Sequence, residues 1–384
     1  MSADARLILV IAIGQTIGWG TMFAAFALFV APMEAELGWS RAAINAGLTL
    51  ALLVSGFAAI PIGRRVDRDG ARGLLAWGGW LGAGLLALWS MTESLPVYLG
   101  LWAAMGLAQA AALWGPAMAL VVASARDPAR SITAISFVTG FTATIFIPLT
   151  AWLIGALGWR GALLALAALQ VVPGALTLWL LPAGPVRPAT TAPGGFRLAA
   201  AVRRPAFLAL AACFAAHAFI ATGLGAHAIP LLRERGLPEA SVLLLVALHG
   251  PFQVAARAAL FALGARVTMR EAGRLATCLV PLAMLILALA PADLSWLVLY
   301  ALAWAIADGL MTILRAAGVM EILGREGYGT LSGALSVATV GPRMAAPLGI
   351  ALIWEGAGGY GPVPWLLAAL GVLGAAAFAV AARR

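Results

Sequence analysis

The chain has 384 residues, of which 63% are hydrophobic and only 10% are charged, and its mean hydropathy is +1.00. One soluble core cannot cover that much apolar surface, so the composition excludes an ordinary globular protein and places the chain in lipid. The formal net charge of +9 comes from arginine alone, and most arginines stand in short joints between apolar stretches. That distribution argues against nucleic-acid binding and for a membrane topology.

Twelve apolar stretches follow one another along the sequence, and a membrane-spanning helix needs about 20 apolar residues. We predict an all-α integral membrane protein with spans near 7–30, 41–63, 73–91, 96–124, 131–154, 161–181, 205–231, 240–264, 274–291, 295–318, 330–354 and 362–381. With the N-terminus in the cytoplasm, seventeen arginines fall on the cytoplasmic side of these spans and four fall outside. This excess predicts that both termini are cytoplasmic.

The joint between the second and third spans is a short basic loop, Gly63-Arg-Arg-Val-Asp-Arg-Asp-Gly-Ala-Arg72. We expect Gly63 and Gly70 to allow a tight reversal between antiparallel helices. Asp67 can accept hydrogen bonds from a neighbouring helix N-terminus or pair with Arg68 or Arg72. The spacing of these five residues resembles the loop signature of the major facilitator superfamily. The resemblance implies a conformational-switch loop on the cytoplasmic side of the membrane.

Other joints resemble the branch of that superfamily that contains monocarboxylate porters and oxalate/formate antiporters. The resemblance is carried by Leu37-Gly-Trp-Ser-Arg41, by the common joint Gly158-Trp-Arg160, and by Gly324-Arg-Glu-Gly-Tyr-Gly329 with the segment Pro347 to Tyr360. Drug/proton antiporters instead carry an arginine in the fourth span, where this chain has Trp102. Their G-P-x-x-G-G run in the fifth span is replaced here by Gly140-Phe-Thr-Ala-Thr-Ile-Phe-Ile-Pro148. Both departures weaken the case for drug efflux.

The two halves of the sequence contain similar short motifs at corresponding positions. Gly63-Arg-Arg-Val66 follows the second span and Gly264-Ala-Arg-Val267 follows the eighth, with Thr268 at the position of Asp67. The resemblance implies two pseudo-symmetric six-helix bundles, the major facilitator fold, around a site near the middle of the membrane. We predict an N-terminal bundle at 1–181, a cytoplasmic linker at 182–204 and a C-terminal bundle at 205–384.

Four charged side chains stand deep inside predicted spans, where each costs several kcal/mol on insertion scales. They are Arg257, Asp308, Arg315 and Arg343. Asp308 and Arg343 fall near the bilayer middle and could pair, which would remove most of the cost of each; the alternative role of such a pair is structural. Arg315 stands near the cytoplasmic end of its span, and we expect it to snorkel or to cap a loop.

Arg257 resembles the eighth-span arginine of monocarboxylate and oxalate carriers. The oxalate carriers clamp a carboxylate between basic residues of the eighth and eleventh spans, so the resemblance implies that Arg257 and Arg343 act together. Arg343 stands about one turn from the family's basic position. Gln253 replaces the aspartate that monocarboxylate porters place four residues before the eighth-span arginine.

In the superfamily the first, fourth, seventh and tenth spans line the cavity. The first and fourth spans here carry neutral donors and aromatic rings, and three histidines follow in the seventh and eighth spans. His217, His227 and His249 are either satisfied packing residues or proton carriers, since imidazole titrates near neutral pH. The predicted substrate-contacting residues are Arg257, Arg343, Asp308, Gln15, Trp19, Gln109, Trp114, His227 and Gln253.

We predict a secondary active transporter that works by alternating access and carries a small organic anion, in particular a carboxylate. The alternative is an efflux carrier for drugs or another toxic solute by proton antiport, with Asp308 as its carboxylate. Enzyme motifs such as H-E-x-x-H, G-x-S-x-G and a phosphate-binding Gly-Lys loop are absent, so we expect no enzyme activity, metal or cofactor. The expected partners are a small-molecule substrate, a coupling proton or counter-anion, and membrane lipid. We expect a multi-pass monomer in the bacterial inner membrane.

Overall fold

The computed structural model describes residues 2–181 and 198–383, which are almost entirely helical. In chain order the α-helices are α1 Ala3–Trp19, α2 Phe26–Leu37, α3 Arg41–Asp69, α4 Ala71–Trp89, α5 Leu95–Ala112, α6 Trp114–Ser124, α7 Pro128–Thr139, α8 Thr142–Leu180, α9 Leu198–Ala201, α10 Pro205–Glu234, α11 Glu239–Leu263, α12 Met269–Leu289, α13 Leu294–Ile313, α14 Val319–Leu323, α15 Tyr328–Ala357 and α16 Val363–Ala381. Two π-helical turns, Gly20–Ala24 and Leu314–Gly318, interrupt the first and tenth spans.

Within the described ranges, eleven helical segments are long and apolar enough to cross a membrane. The longest, Pro128–Leu180, has 53 residues and combines α7 and α8. Gly158 breaks its helical geometry with φ 69° and ψ 169°, a conformation that glycine adopts without a steric penalty. Divided at Gly158, this segment supplies the fifth and sixth spans. The predicted all-α fold of twelve membrane-spanning helices is therefore confirmed.

The described chain forms two compact units, each with its own hydrophobic core. Of the described residues, the first unit comprises 2–181 with Arg325–Ala334, and the second comprises 198–324 with 335–383. Helix α15 therefore starts in the first unit and continues in the second. Of the predicted linker, residues 182–197 lie outside the described residues.

Polar side chains at the starts of the helices define several of the joints. Ser40 caps α3 by accepting a hydrogen bond from the amide of Ala43, and Asp127 caps α7 in the same way. Thr268 and Glu271 form a reciprocal capping box at the start of α12. Each cap satisfies amide groups that the first turn of a helix leaves without partners, so these residues fix where the spans begin.

An aromatic cluster fills the core of the first unit. Trp102 is only 2% exposed, and its ring centroid lies 4.8 Å from that of Phe26 and 5.0 Å from that of Trp89. Edge-to-face pairs of this kind contribute about 0.5–1.5 kcal/mol each beyond the burial of their area. The position at which drug/proton antiporters carry an arginine thus serves packing in this chain.

The internal duplication predicted from the loops is also visible in side-chain contacts. Glu36, at the end of the first span, accepts a hydrogen bond from the indole of Trp159 near the joint between spans five and six. Glu234, at the end of the seventh span, accepts one of 2.8 Å from the indole of Trp354 near the joint between spans eleven and twelve. Glycines with positive φ recur at matching joints, namely Gly38 and Gly236, Gly70 and Gly264, and Gly158 and Gly358.

Gly63 does not form the reversal expected of it. Helix α3 continues to Asp69, and the chain turns at Gly70 alone, with φ 82° and ψ 161°. Gly63 lies inside the helix, where an added Cβ would come within 2.2 Å of the carbonyl oxygen of Gly329. The absence of a side chain therefore lets α3 approach the first turn of α15 within the first unit. The apolar pattern suggested an end at residue 63 because the polar last turn of the helix carries no apolar periodicity.

We expect Gly63→Ala to lower the melting temperature of the purified protein in detergent. The new methyl group meets a backbone oxygen that cannot move aside, and such overpacking costs about 1–3 kcal/mol. Gly73→Ala is the matched control, because a Cβ at that helical glycine would have no atom within 4 Å. Equal melting temperatures for the two variants would contradict the close approach at Gly63.

Candidate functional site

Asp308 forms the centre of a polar cluster in the middle of the tenth span. It lies 14 residues after Leu294, about 21 Å along a helix that rises 1.5 Å per residue. Its carboxylate accepts hydrogen bonds from the side chains of His217 at 2.9 Å, His249 at 3.2 Å and Gln253 at 2.6 Å. An ionised carboxylate only accepts, so each Nε2 of the two imidazoles is the donor. Side chains from α10 and α11 thereby converge on α13.

Asp308 and Arg343, which could have paired according to their depth in the sequence, form no salt bridge with each other in the described part of the chain. The salt-bridge partners of Asp308 among the described residues are His217 and His249. With Gln253 they occupy the short-range positions around the carboxylate, so Arg343 interacts with Asp308 only at longer range. The sequence did not predict that the two histidines meet, because they stand on different spans and share no spacing motif.

The indole ring of Trp304 packs against both imidazoles. Trp304 lies one turn before Asp308 on α13, and its ring centroid is 5.5 Å from that of His217 and 6.2 Å from that of His249. The interplanar angle is 35° for His217, a tilted contact, and 26° for His249, a stacked contact. A cation over the face of a tryptophan is attracted by its quadrupole. Trp304 can therefore stabilise a protonated imidazole at this site.

Arg257 lies one turn after Gln253 on α11 and is 5% exposed. Its guanidinium donates to the carbonyl oxygen of Gly309 at 3.4 Å and to the hydroxyl of Thr312 at 3.3 Å. Gly309 permits this close packing, because a Cβ there would come within 2.8 Å of the carbonyl oxygen of Gln253. Arg257 thus joins α11 to α13 one turn beyond Asp308.

Two further arginines add positive charge near Asp308. Arg315 lies in the π-helical turn, with its guanidinium carbon 5.9 Å from the ring centroid of Phe214. It interacts electrostatically with Asp308 and Arg343 instead of reaching the helix end as expected. Arg343 lies 15 residues into α15, about 22 Å along the helix. Within the described part of the chain, its guanidinium forms no hydrogen bond or ion pair.

The second unit therefore contains more positive than negative charge inside its membrane-spanning helices. Arg257, Arg315 and Arg343 carry three positive charges, and Asp308 carries one negative charge. With neutral imidazoles, the cluster has two more positive charges than negative ones. An uncompensated charge of that size in a membrane interior is expensive. A bound anion would reduce its cost.

In the first unit, two predicted amide side chains bind backbone carbonyls at breaks in the helices. Gln15 is 2% exposed and donates to the carbonyl oxygen of Ala112 at 2.9 Å. That carbonyl lacks its usual helical donor, because Pro116 four residues later has no N–H. Gln109 donates at 2.9 Å to the carbonyl oxygen of Met22 in the π-helical turn. Both glutamines thus connect α5 to the first span.

The two predicted tryptophans of the first unit stand beside the same irregularities. Trp19 is the last residue of α1 and packs edge-on against Phe23, with 5.3 Å between ring centroids. Trp114 begins α6 after the break at Leu113. Breaks and π-helical turns often mark functional positions in helices. Contact of these four residues with substrate stays a prediction.

His227 lies outside the cluster around Asp308. Its Nε2 donates to the carbonyl oxygen of Pro347 at 2.9 Å, and its Nδ1 lies 2.8 Å from the hydroxyl of Tyr360. Burial, and then the nearby carboxylate of Glu234, raise the pKa of Tyr360, so its hydroxyl keeps its proton. His227 therefore joins α10 to α15 through Pro347 and to the following joint through Tyr360.

Asp67, in the loop after the second span, binds one of the two kinds of partner expected for it. Its carboxylate accepts hydrogen bonds from the amides of Gly329 at 2.8 Å and Thr330 at 2.7 Å, and from the hydroxyl of Thr330 at 2.6 Å. Asp67 thus occupies the N-terminus of α15, where the helix dipole favours a negative charge. All three residues belong to the first unit.

The arginines of this loop have other partners. Arg68 pairs with Asp69 at 2.9 Å, and Arg72 donates to the carbonyl oxygen of Leu178 at the end of α8. Asp67 therefore binds the N-terminus of α15, which is the first of the two predicted alternatives.

The spacing of the loop residues suggested a family for this chain, and a comparison with models of protein families tests that suggestion. The sequence model described as Major Facilitator Superfamily matches residues 11–347. The chain belongs to the major facilitator superfamily. It is accordingly a multi-pass membrane transporter of the secondary type that characterises this family. No curated protein sequence matches the chain.

Solved structures of superfamily transporters have the same fold. FucP in its outward conformation has a TM-score of 0.80 at 12% identity, with 100% of both chains covered. A bacterial homologue of the iron transporter ferroportin has a TM-score of 0.78 at 14% identity, again over 100% of both chains. The human organic anion transporter MFSD10 has a TM-score of 0.74 at 16% identity, covering 98% of this chain and 100% of that one. At these identities the likeness concerns the fold.

The described residues contain no group of three or more His, Cys, Asp or Glu side chains that could hold a metal ion.

Proposed function

We propose that this superfamily member transports a small organic anion, in particular a carboxylate. The observation that carries the proposal is the excess of arginine over carboxylate inside the second unit. Arg257, Arg315 and Arg343 interact there with one carboxylate, Asp308. Since an unbalanced charge at depth is costly, a negatively charged substrate is the natural complement of this cluster.

Arg343 is the principal substrate contact in this proposal. Its guanidinium donors are not engaged by any described residue, whereas those of Arg257 already bind Gly309 and Thr312. A guanidinium offers parallel donors that match both oxygens of a carboxylate. Arg257 then contributes charge and holds α11 in place against α13. The joints that resemble the monocarboxylate and oxalate/formate branch support the same substrate class, and one solved relative is named as an organic anion transporter.

Efflux of cationic drugs by proton antiport is the alternative function. It needs a carboxylate available to a cationic ligand, and Asp308 is the candidate in the second unit. Three side-chain donors already bind this carboxylate, and three arginines interact with it electrostatically. A cationic ligand would have to displace those donors and approach a positive field. The charge balance therefore favours an anion.

The proposal also includes the orientation of the chain in the membrane. The arginine distribution supports cytoplasmic termini in a bacterial inner membrane, with a monomer composed of bundles 1–181 and 205–384 joined by the linker 182–204. The polar and aromatic residues of the first unit, Gln15, Trp19, Gln109 and Trp114, would contribute neutral contacts to the substrate.

The test is uptake by proteoliposomes of purified protein. The panel contains radiolabelled formate, oxalate, lactate and succinate together with ethidium as a cationic dye. We expect uptake of at least one carboxylate above that of protein-free liposomes, with competition by unlabelled carboxylate. Transport of ethidium with no carboxylate uptake would refute the proposal.

Asp67→Asn should slow the conformational cycle more than it weakens substrate binding. The asparagine keeps one acceptor oxygen but turns an NH₂ group toward the amides of Gly329 and Thr330, so it loses charge-assisted bonds worth about 1.5–3 kcal/mol each. We expect roughly tenfold slower exchange with near-normal equilibrium binding of the transported carboxylate. Asp69→Asn is the control, because Asp69 forms exposed ion pairs with Arg65 and Arg68. Weaker binding at unchanged exchange would be the contrary result.

A further inference from the structure

We propose that His249 is the proton-binding residue of this transporter and that it takes up a proton together with the transported anion. The coupling half of this inference rests on the proposed anion transport. The identity of the proton site rests on the geometry around Asp308 alone. A hydronium ion would give its proton to Nδ1 of His249, so that one O–H bond breaks, one N–H bond forms and a water molecule is released.

Asp308 itself is a poor proton site in this arrangement. Gln253 approaches its Oδ2 at 2.6 Å through an amide nitrogen, which can only donate. A proton added to the carboxylate would sacrifice charge-assisted hydrogen bonds from Gln253 and His217. Hydrogen bonds to the charged form favour that form. The carboxylate therefore stays ionised and serves as the counter-charge for an imidazolium.

The two imidazoles that bind Asp308 differ in how far their side chains are buried. His217 is 8% exposed, and its Nδ1 is buried without a hydrogen-bond partner. While its Nε2–H donates to Asp308, that Nδ1 is a lone pair, and protonation would create a buried N–H with no acceptor. Such a group costs about 1–3 kcal/mol, and more when it is charged. His217 is therefore the neutral, positioning imidazole.

His249 is less buried than His217. A third of its side chain, 33%, is exposed, while its Nε2 donates to Oδ2 of Asp308. In this proposal the open side of the ring faces water, which accepts a hydrogen bond from a proton on Nδ1. The carboxylate of Asp308 and the face of Trp304 would both stabilise the imidazolium.

The charges around His249 explain why the proton and the anion would bind together. Asp308 faces it from α13 and the neutral His217 from α10, while Arg257 stands two turns further along α11. Arg315 after α13 and Arg343 on α15 add further positive charge through their interaction with Asp308. These three arginines oppose protonation until an anion neutralises them. By linkage, a proton on His249 would strengthen anion binding by the same factor.

The decisive measurement is a titration of the imidazole nitrogens. The chain contains only three histidines, so the protein labelled with ¹⁵N-histidine in nanodiscs gives three assignable sets of NMR signals. The variants His217→Gln, His227→Gln and His249→Gln identify each set by its loss. We expect the signals of His249 to change as the pH is lowered from about 8 to 5, the range in which imidazoles titrate. The signals of His217 should keep the neutral pattern with a proton on Nε2.

Titration of His217 with no change at His249 would overturn the proton site. Glutamine keeps an amide donor for Asp308, and His249→Asn provides a second variant if His249→Gln does not fold. In Asp308→Asn the His249 signals should change at lower pH than in the wild type, because the counter-charge is gone. An unchanged titration in that variant would also count against the proposal.

The coupling is tested in liposomes that contain the pH dye pyranine, with a gradient of the transported carboxylate. We expect wild-type protein to acidify the lumen as anion enters. His249→Gln should still exchange labelled anion measurably but should lose at least tenfold of the acidification. Anion entry without proton entry in the wild type overturns the coupling. Absence of any carboxylate transport refutes the proposed function instead, while the NMR titration still decides the proton site.

Discussion

Replacing Arg343 with alanine should abolish carboxylate uptake while the protein still folds and reaches the membrane. The side chain forms no hydrogen bond or ion pair with a described residue, so its removal breaks no such bond between helices. The desolvated carboxylate of the substrate, however, loses the guanidinium that would bind both of its oxygens. Truncation of one member of a buried charge pair costs about 2–5 kcal/mol or more, which corresponds to at least roughly 30-fold weaker binding. Uptake kinetics and melting temperature, measured together, check both parts of this expectation.

Two variants sharpen the experiment on Arg343. Arg343→Lys keeps the charge but not the planar fork, so we expect partial recovery of uptake. Arg41→Ala is the matched control, because Arg41 is 71% exposed and pairs with Glu34 at the surface. Exposed pairs contribute little, so this variant should transport normally. Normal uptake in Arg343→Ala would rule out its role as the principal anion contact.

Arg257→Ala should also abolish uptake, but with a different signature. Arg257 binds Gly309 and Thr312 on the neighbouring helix, so its loss should lower the melting temperature as well. A variant that loses transport without losing stability would place Arg257, like Arg343, in direct contact with the substrate. The comparison of the two arginines thus separates binding from helix packing.

Asp308→Asn should lower the stability of the protein more than any other single change in the cluster. Asparagine turns an NH₂ group toward the donors of His217, His249 and Gln253, and it leaves the arginines without a counter-charge. Removal of one partner from a buried ion pair typically costs 3–5 kcal/mol. We expect the melting temperature to fall by about 6–10 °C, given roughly 2 °C per kcal/mol for larger chains. Detergent-solubilised protein and a thermal unfolding assay are sufficient to measure it.

The function of Asp308→Asn distinguishes a counter-charge from a proton carrier. As a counter-charge, its loss should leave anion binding intact or tighter, because the site becomes more positive. As the proton carrier, its loss would leave exchange intact and uncouple uptake from a pH gradient. Asp69→Asn is the stability control, since Asp69 lies in exposed ion pairs with side-chain exposure of 39%. A normal melting temperature in Asp308→Asn would contradict the hydrogen-bond network around it.

The sequence by itself was sufficient for the membrane class and the order of helices. Long apolar runs must become helices in lipid, because every backbone group has to find its partner within the segment. The basic loop with Asp67 and Gly70 similarly indicated the family, which the match over residues 11–347 confirmed. Helix ends were less predictable, since α3 continues through Gly63 to Asp69 on polar residues that carry no apolar periodicity.

Only the tertiary structure decided which charges meet. Depth along a span could be counted from the sequence, and it placed Asp308 and Arg343 at similar levels. The rotation of each helix about its axis is set by packing against its neighbours, and no local pattern in an apolar span records it. That rotation, and the close approach that Gly309 permits, bring His217, His249 and Gln253 to Asp308 while Arg343 stays at longer range. The sequence determined that charges lie in the membrane interior, and packing determined their partners.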